Sequence, residues 1–422
     1  MKVAVVGLGR VGLPIATAIA GRGHDVVGCD IDPQRVAMVQ RGENPFPEEA
    51  GLGELLGDVT ANGHLRTTTD TTEGAASSDT VLCTVAVDLD AGGRADLHGI
   101  SAAARAISAG LRPGALVIFD TTVPPSTTRQ ILAPLLEEGG KQLGSDFSVA
   151  FSPERLFMGR VLEDLPKYPK VVGGLDAESG TRAVDFFREA LGSEVIELAS
   201  AEAAELSKVA EGVYRDLNIA LANELAQAAD LFGADVSEVI AAANSQPFSH
   251  IHTPGAGVGG HCIPVYPRFL MQGEAPSTLA AAGRAANDAM PAYLVGRLDE
   301  IAGGLAGKRC LVLGLTFRPD VAVTAHTNAV DLLRELAGRG AKVWGHDALL
   351  SPEAIAALGF TPAAEPLARY DVAIVHALHA AYRSFAWGQI APLVLDARNA
   401  LDRGAVEATG ARYVGAGRPL TA

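Results

Sequence analysis

The sequence predicts an α/β protein with a doubly wound N-terminal domain (residues 1–195), a central helical domain (196–300) and a smaller doubly wound C-terminal domain (301–422). Three observations carry this expectation. The chain opens strand, glycine turn, helix, strand; the stretch from Ser200 to about Leu298 has helical apolar spacing; and at Lys308 strand–helix alternation starts afresh. In order, KVAVVG is a short β-rich run, VGLPIATAIAGRG an alanine-rich helix closed by Gly23, and HDVVGCD a second strand, which together make a βαβ unit. Apolar runs at TVLCTVAV, ALVIFDTT, FSVAFSP and KVVGG, separated by helical stretches such as HGISAAARAISAGL, extend it into a parallel sheet covered on both faces. AAELSKVAEGVYRDLNIALANELAQAADLF and STLAAAGRAANDAMPAYLVGRLDEIA read as long helices, of the kind that link domains or pack on a partner chain. RCLVLGL, AVDLLRELAGRG, AKVWGHD, DVAIVHAL and PLVLDARN then supply the third domain.

Composition narrows the function classes. Of 422 residues, 48% are hydrophobic and 20% charged, the profile of an ordered globular chain. A net charge of -15 leaves little basic surface for a phosphate polymer, so neither nucleic acid nor an anionic membrane is an expected partner. No apolar stretch approaches the roughly 20 residues that span a bilayer. The first residues run straight into a glycine turn without the features of a signal peptide, so the expected location is the cytoplasm. The four cysteines, Cys29, Cys83, Cys262 and Cys310, lie far apart without metal-ligand spacing, so disulfides and a metal site are not expected.

Gly7, Gly9 and Gly12 form a G-x-G-x-x-G run directly after a strand and at the start of a helix, and Asp30 follows at the end of the next strand. The glycines allow a tight turn, close backbone approach to a pyrophosphate and close helix–strand packing, while the helix N-terminus favours an anion. Asp30 can accept hydrogen bonds from ribose hydroxyls and repels a 2′-phosphate, so the expected cofactor is NAD on a Rossmann-type domain. Arg35 either assists the adenosine end or sits solvated on its helix. A second distinctive stretch is PGAGVGGHCIPVYPRFL, where Gly255, Gly257, Gly259 and Gly260 precede His261 and Cys262. So many glycines leave backbone N–H groups to face a ligand, and a thiol after such a loop can be an exposed nucleophile or, as free cysteines often are, a small buried hydrophobe. Cys29, Cys83 and Cys310 lie in apolar strands and read as buried. His261 is placed to activate the thiol, to contact substrate or to pack.

With these motifs, the chain resembles the UDP-glucose, GDP-mannose and UDP-N-acetylhexosamine dehydrogenase family over essentially its whole length. The resemblance is carried by DTTVPPST (Asp120 to Thr127, like E-S-T-V-P-P-G-T), FSPER, AELSK, RDLNIALANEL, GVGGHCIPV and RAANDAMP. The forms S-P-E-R and G-G-H-C-I-P-V are most like the UDP-N-acetylmannosamine and UDP-N-acetylglucosamine branch. The resemblance implies oxidation of a sugar C6 alcohol to the acid, with Cys262 as nucleophile, Lys208 stabilising alkoxide and oxyanion charge, Glu154 as acid/base and Thr122 holding the cofactor or a water. It adds Val11 and Val85 to the cofactor site. It assigns Glu154, Arg155, Lys208, Asn218, Gly259, Arg318 and Arg398 to a nucleotide-sugar substrate, and it implies a homodimer built on the central helices.

Some positions depart from that family. Tyr266 stands where an aspartate follows the cysteine by four residues, and Gly212 where an asparagine follows the lysine by four. Val87 and Asp88 replace a Thr-Pro pair, and Ala322, Val323 and Ala325 replace an acidic pair and an arginine. Three readings therefore stand: a full nucleotide-sugar 6-dehydrogenase; a divergent relative that oxidises another nucleotide-linked or nucleoside-like alcohol, stopping at the aldehyde; and a non-catalytic binding paralogue, disfavoured because Cys262, Lys208 and Glu154 are all present.

Overall fold

The computed structural model describes residues 1–157, 159–273, 277–364 and 369–420. The chain divides into two compact units, the first built on Met1–Glu211 and the second beginning at Gly212.

Among the described residues, the first unit holds one sheet of eight strands: β1 (Lys2–Val6), β2 (Asp25–Cys29), β3 (Leu65–Thr68), β4 (Thr80–Cys83), β5 (Ala115–Phe119), β6 (Phe147–Phe151), β7 (Lys170–Gly174) and β8 (Val195–Leu198). Their order is β3-β2-β1-β4-β5-β6-β7-β8. Strand alternation sorts the core into two layers. Val3 and Val5 of β1 pack with Leu13, Ile15 and Ile19 of the helix Gly12–Gly21 on one face. Ala4 and Val6 pack with Ile100, Ala104 and Ile107 of the helix His98–Gly110 on the other. A sheet covered on both faces needs near-continuous apolar strands, which is what TVLC, ALVIF and FSVAF are.

One strand runs against expectation. KVVGG, read as a further parallel strand, forms β7 antiparallel to β6, with Ala150 opposite Gly174 and Phe151 opposite Gly173. A parallel return needs a long crossover, usually a full helix. Here the connection carries the short helix Val161–Asp164, and the chain re-enters from the edge where β6 ended. The edge strands β3 and β8 were not foreseen, because LRTT and VIEL are polar and largely uncovered, without an apolar run.

Among the described residues, the second unit contains six parallel strands: β9 (Arg309–Leu313), β10 (Lys342–His346), β11 (Thr361–Pro362), β12 (Val372–Val375), β13 (Leu393–Asp396) and β14 (Arg412–Gly415). Their order, β11-β10-β9-β12-β13-β14, repeats that of β1 to β6. The long segment AAELSK…DLF is one helix, Ala201–Phe232. The segment STLAAAGRAANDAMPAYLVGRLDEIA, expected as one helix, is two, Thr278–Asp288 and Met290–Ala302, because Pro291 starts a new first turn.

Candidate active site

The dinucleotide cradle lies at the C-terminal ends of β1 and β4, where the strand order reverses. Gly7 adopts φ +97, and a Cβ on Gly12 would lie 2.0 Å from the Gly7 carbonyl oxygen and 2.3 Å from Thr84 Oγ1. Nothing lies within 4 Å of a Cβ built on Gly9. Thr84, which follows β4, donates its hydroxyl to the Gly7 carbonyl at 2.7 Å and so latches the turn. The half-buried Val85 comes next, with its backbone N 3.3 Å from a Cβ on Gly7. The helix Gly12–Gly21 has no side-chain cap at Val11, which leaves its first N–H groups for an anion. Asp30 is buried; its Oδ2 accepts the Leu8 N–H at 2.8 Å and its Oδ1 that of Asp32 at 2.9 Å. Arg35 does not stand free in solvent, for its Nη1 lies 3.4 Å from Asp30 Oδ2 and its guanidinium over the Phe46 ring. These residues fit NAD: close backbone approach, open N–H groups and a fixed acid.

A buried charge cluster sits further along the same sheet edge. Asp120 directly follows β5, and Glu154 follows β6 by three residues. Because β7 runs the other way, its first residue, Lys170, starts at the edge where β5 and β6 end. Lys170 Nζ donates to Asp120 Oδ2 at 2.9 Å and to Glu154 Oε2 at 2.9 Å, and stands 4.9 Å from the Phe187 ring centroid. Glu154 Oε1 accepts the N–H groups of Arg155 at 2.6 Å and Leu156 at 2.8 Å. Burial, with repulsion from Glu154, pushes the Asp120 carboxyl up to about 7. The Arg155 guanidinium is turned to the Pro169 carbonyl.

Thr122 is buried on the loop after β5. That loop is tied to the helix Ala201–Phe232 by Glu205, whose carboxylate accepts the N–H groups of Ser126 at 2.5 Å and Thr128 at 2.8 Å. Lys208, one turn on, is buried, with its ammonium 3.4 Å from Glu211.

In the second unit, Cys262 is the exposed cysteine; Cys29, Cys83 and Cys310 are buried, and burial pushes each of those thiols up to about 12. Each glycine before Cys262 stands where packing leaves little room for a side chain. A Cβ on Gly255 would meet Arg398 at 2.9 Å, on Gly257 Asn328 at 2.9 Å, on Gly259 the His326 carbonyl at 2.8 Å and on Gly260 the Phe317 ring at 2.9 Å. Several backbone N–H groups there are already bonded: Gly255 to Asn223 Oδ1, Ala256 to the Ala397 carbonyl, Gly260 to the Ala325 carbonyl. Arg398 donates to the Gly257 carbonyl at 2.6 Å, so its guanidinium clamps the loop to the end of β13. The neighbouring His376 donates from Nδ1 to the Gly314 carbonyl, and burial with the Arg398 charge holds it neutral, down at about 3. Asn218 spends its amide on the backbone of His250 and His252. Arg318 stacks over Phe317, and its Nε is buried without a hydrogen-bond partner among the described residues.

Family models match three consecutive stretches of the chain. They are the NAD binding domain (residues 1–191), central domain (202–288) and UDP binding domain (311–403) of the UDP-glucose/GDP-mannose dehydrogenase family. The chain belongs to this family. It is an NAD-dependent dehydrogenase acting on a CH–OH group of a nucleotide sugar. It is 32% identical to the NDP-N-acetyl-D-galactosaminuronic acid dehydrogenase of Ralstonia solanacearum, with 90% of this chain and 91% of that one covered. The UDP-D-ManNAc dehydrogenase of Pyrococcus horikoshii superposes with a TM-score of 0.89 at 31% identity, over 99% of both chains. The UDP-glucose dehydrogenase of Pyrobaculum islandicum gives 0.87 at 32% identity, over 99% of this chain and 97% of that one.

Of the side chains that build this candidate site, sequence reasoning does not single out Thr84, Asp120, Lys170, Glu205 and Asn223. A signal existed for two of them: Asp120 and Lys170 are charges set directly against the ends of apolar strands. Among the described residues no helix is long and apolar enough to cross a membrane.

Proposed function

We propose that this dehydrogenase oxidises the C6 primary alcohol of a UDP-sugar of the N-acetylhexosamine class to the uronic acid, through a thiohemiacetal and a thioester on Cys262. The observation that carries it is the contrast among the thiols: three buried in strands, and Cys262 exposed on a loop fixed from Asn223, Phe317 and Arg398. The relatives named for N-acetylated sugars support the substrate class.

NAD, when bound in the glycine cradle, supplies the acceptor for both hydrides. The cradle fixes it through Gly7, Gly9, Val11, Gly12 and Asp30, with Arg35 steadying the acid and Val85 and Thr122 bordering it. Lys208 offers an ammonium to the developing alkoxide and oxyanion, the kind of preorganised donor whose loss commonly costs about 2.7–4 kcal/mol. The Cys262 thiolate adds to the aldehyde carbon, and after the second oxidation Glu154 takes a proton from the water that releases the acid. On the substrate side, Arg318 keeps a buried donor for a phosphate. Arg155, Asn218, Gly259 and Arg398 act by shaping the loops that hold the sugar nucleotide. We place the domain limits for this division of labour at residues 195 and 300.

A second reading, oxidation of another alcohol only to the aldehyde, is favoured by Tyr266, whose buried ring stands where an aspartate is expected. Incubation with UDP-sugars separates the two: acid with two NADH per sugar supports the first, aldehyde with one supports the second. Cys262→Ser should abolish acid while NAD still binds; a variant that forms acid normally overturns the thiol mechanism. We also infer a homodimer, since Tyr214, Leu221 and Phe232 are exposed along the helix Ala201–Phe232. Four free thiols suit a reducing compartment, the cytoplasm.

A further inference from the structure

We propose that Lys170, anchored by Asp120, is a positioning residue for the Glu154 carboxylate, dedicated to the hydrolytic half of the reaction; this rests on the role proposed for Glu154 above. Three features of the first unit support it. A buried ammonium is costly unless paired and hydrogen-bonded, and a purely structural pair requires one carboxylate, whereas Lys170 holds two. Its contacts divide unequally. Asp120 meets Nζ with both oxygens, at 2.9 and 3.2 Å, and so fixes the lysine, while Glu154 meets it with Oε2. The other Glu154 oxygen is pinned by two backbone N–H groups. Among the described residues, Lys170 Nζ and the N–H groups of Arg155 and Leu156 bond both oxygens of the Glu154 carboxylate and so hold it in one fixed orientation.

The antiparallel turn of β7 is what makes this possible. A parallel strand would carry its first residue at the opposite edge of the sheet, away from Asp120 and Glu154. Phe187 lies beside the ammonium, and Ser152 and Cys83 lie near Asp120. In the step served, water oxygen bonds to the thioester carbonyl carbon, the C–S bond breaks, and Cys262 leaves as thiolate. The water proton passes to Glu154; no redox change occurs.

The test is single-turnover kinetics on the full chain with NAD and a UDP-N-acetylhexosamine, following NADH formation and acid release separately, with intact mass to detect the adduct on Cys262. Lys170→Met should slow acid release at least about tenfold more than the first hydride transfer and let the adduct accumulate. Lys170→Arg, which keeps the donors, should restore release. Because Lys170→Met strands a buried carboxylate, Lys170→Met/Asp120→Asn is measured beside it. This double variant should melt near the parent temperature yet still release acid slowly. Equal slowing of both phases, or normal release by a folded Lys170→Met, overturns the proposal while leaving the function reading intact. A parent enzyme that stops at the aldehyde overturns both.

Discussion

The ring of Tyr266 occupies the space that a side chain at position 212 would need: a Cβ built on Gly212 would lie 2.6 Å from Tyr266 Cδ2 and 2.8 Å from its Cβ. Two departures from the family pattern are thus one coupled change. Tyr266 is also bonded through its N–H to the Cys262 carbonyl at 3.0 Å, one turn from the thiol. Alanine at an ordinary helical glycine gains about 1 kcal/mol, but overpacking costs about 1–3 kcal/mol. Gly212→Ala should therefore destabilise the chain in urea denaturation, and Tyr266→Ala should reverse the sign of that effect. Stabilisation by Gly212→Ala alone would show that the ring yields freely.

Gly12→Ala puts a methyl group against the Gly7 carbonyl and the Thr84 hydroxyl, both rigid neighbours. NADH affinity, read by fluorescence titration, should fall by about tenfold or more. Asp30→Ala should narrow the preference for NADH over NADPH. Equal binding of the two by the parent chain would contradict the assigned role of Asp30.

Glu205 is fully buried, and desolvation pushes its carboxyl up from 4.5 to about 7 against the backbone bonds that hold it down. A carboxyl raised in the folded state contributes stability that is complete below its unfolded value and is lost as pH rises through the folded one. Between pH 4.5 and about 7 this group should thus withdraw roughly 3 kcal/mol. Glu205→Gln, neutral throughout, should flatten that part of the stability profile in denaturation series. An unchanged slope would mean that the group does not titrate there.

Ser126 takes φ 73, where the family pattern has glycine. A non-glycine residue in the left-handed region stores about 1 kcal/mol or more, partly offset by the unfolded-state freedom that glycine adds. Ser126→Gly should gain about 0.5 kcal/mol without altering NAD binding. A loss of stability would show that the serine side chain repays its strain.

Tyr214, Leu221 and Phe232 recur at intervals of 7 and 11 residues, which return to one face of a 3.6-residue helix. All are exposed, Phe232 at 80%. Light scattering should give twice the chain mass at micromolar concentration, and Leu221→Arg should shift it toward the monomer. A parent chain of single mass would exclude the dimer.

What was legible in the sequence was local. The glycine run, Asp30 and the exposed cysteine each lie within a few residues of the strand or turn that gives them meaning. The Asp120–Lys170–Glu154 cluster was not legible, because it exists only through the reversal of β7, and nothing in KVVGG states a strand's direction. Edge strands β3, β8 and β11 are not legible for a related reason: a strand covered on few sides needs no apolar run. The glycines before Cys262 are visible in the sequence, but the packing that requires them is not. Whether a missing Cβ admits a ligand or another part of the chain depends on what folds against it, and here that is Phe317, Asn328 and Arg398.

That last contact sets an order of assembly. Cys262 is made 135 residues before Ala397, yet the carbonyl of Ala397 and the guanidinium of Arg398 help to fix the loop before it. Until then the thiol rides on a glycine segment that has Asn223 but lacks its partners at Ala325, Ala397 and Arg398. The loop that carries Cys262 is therefore fixed only once residues 397 and 398 have been made, and a chain cut short before residue 397 carries the cysteine without those two partners.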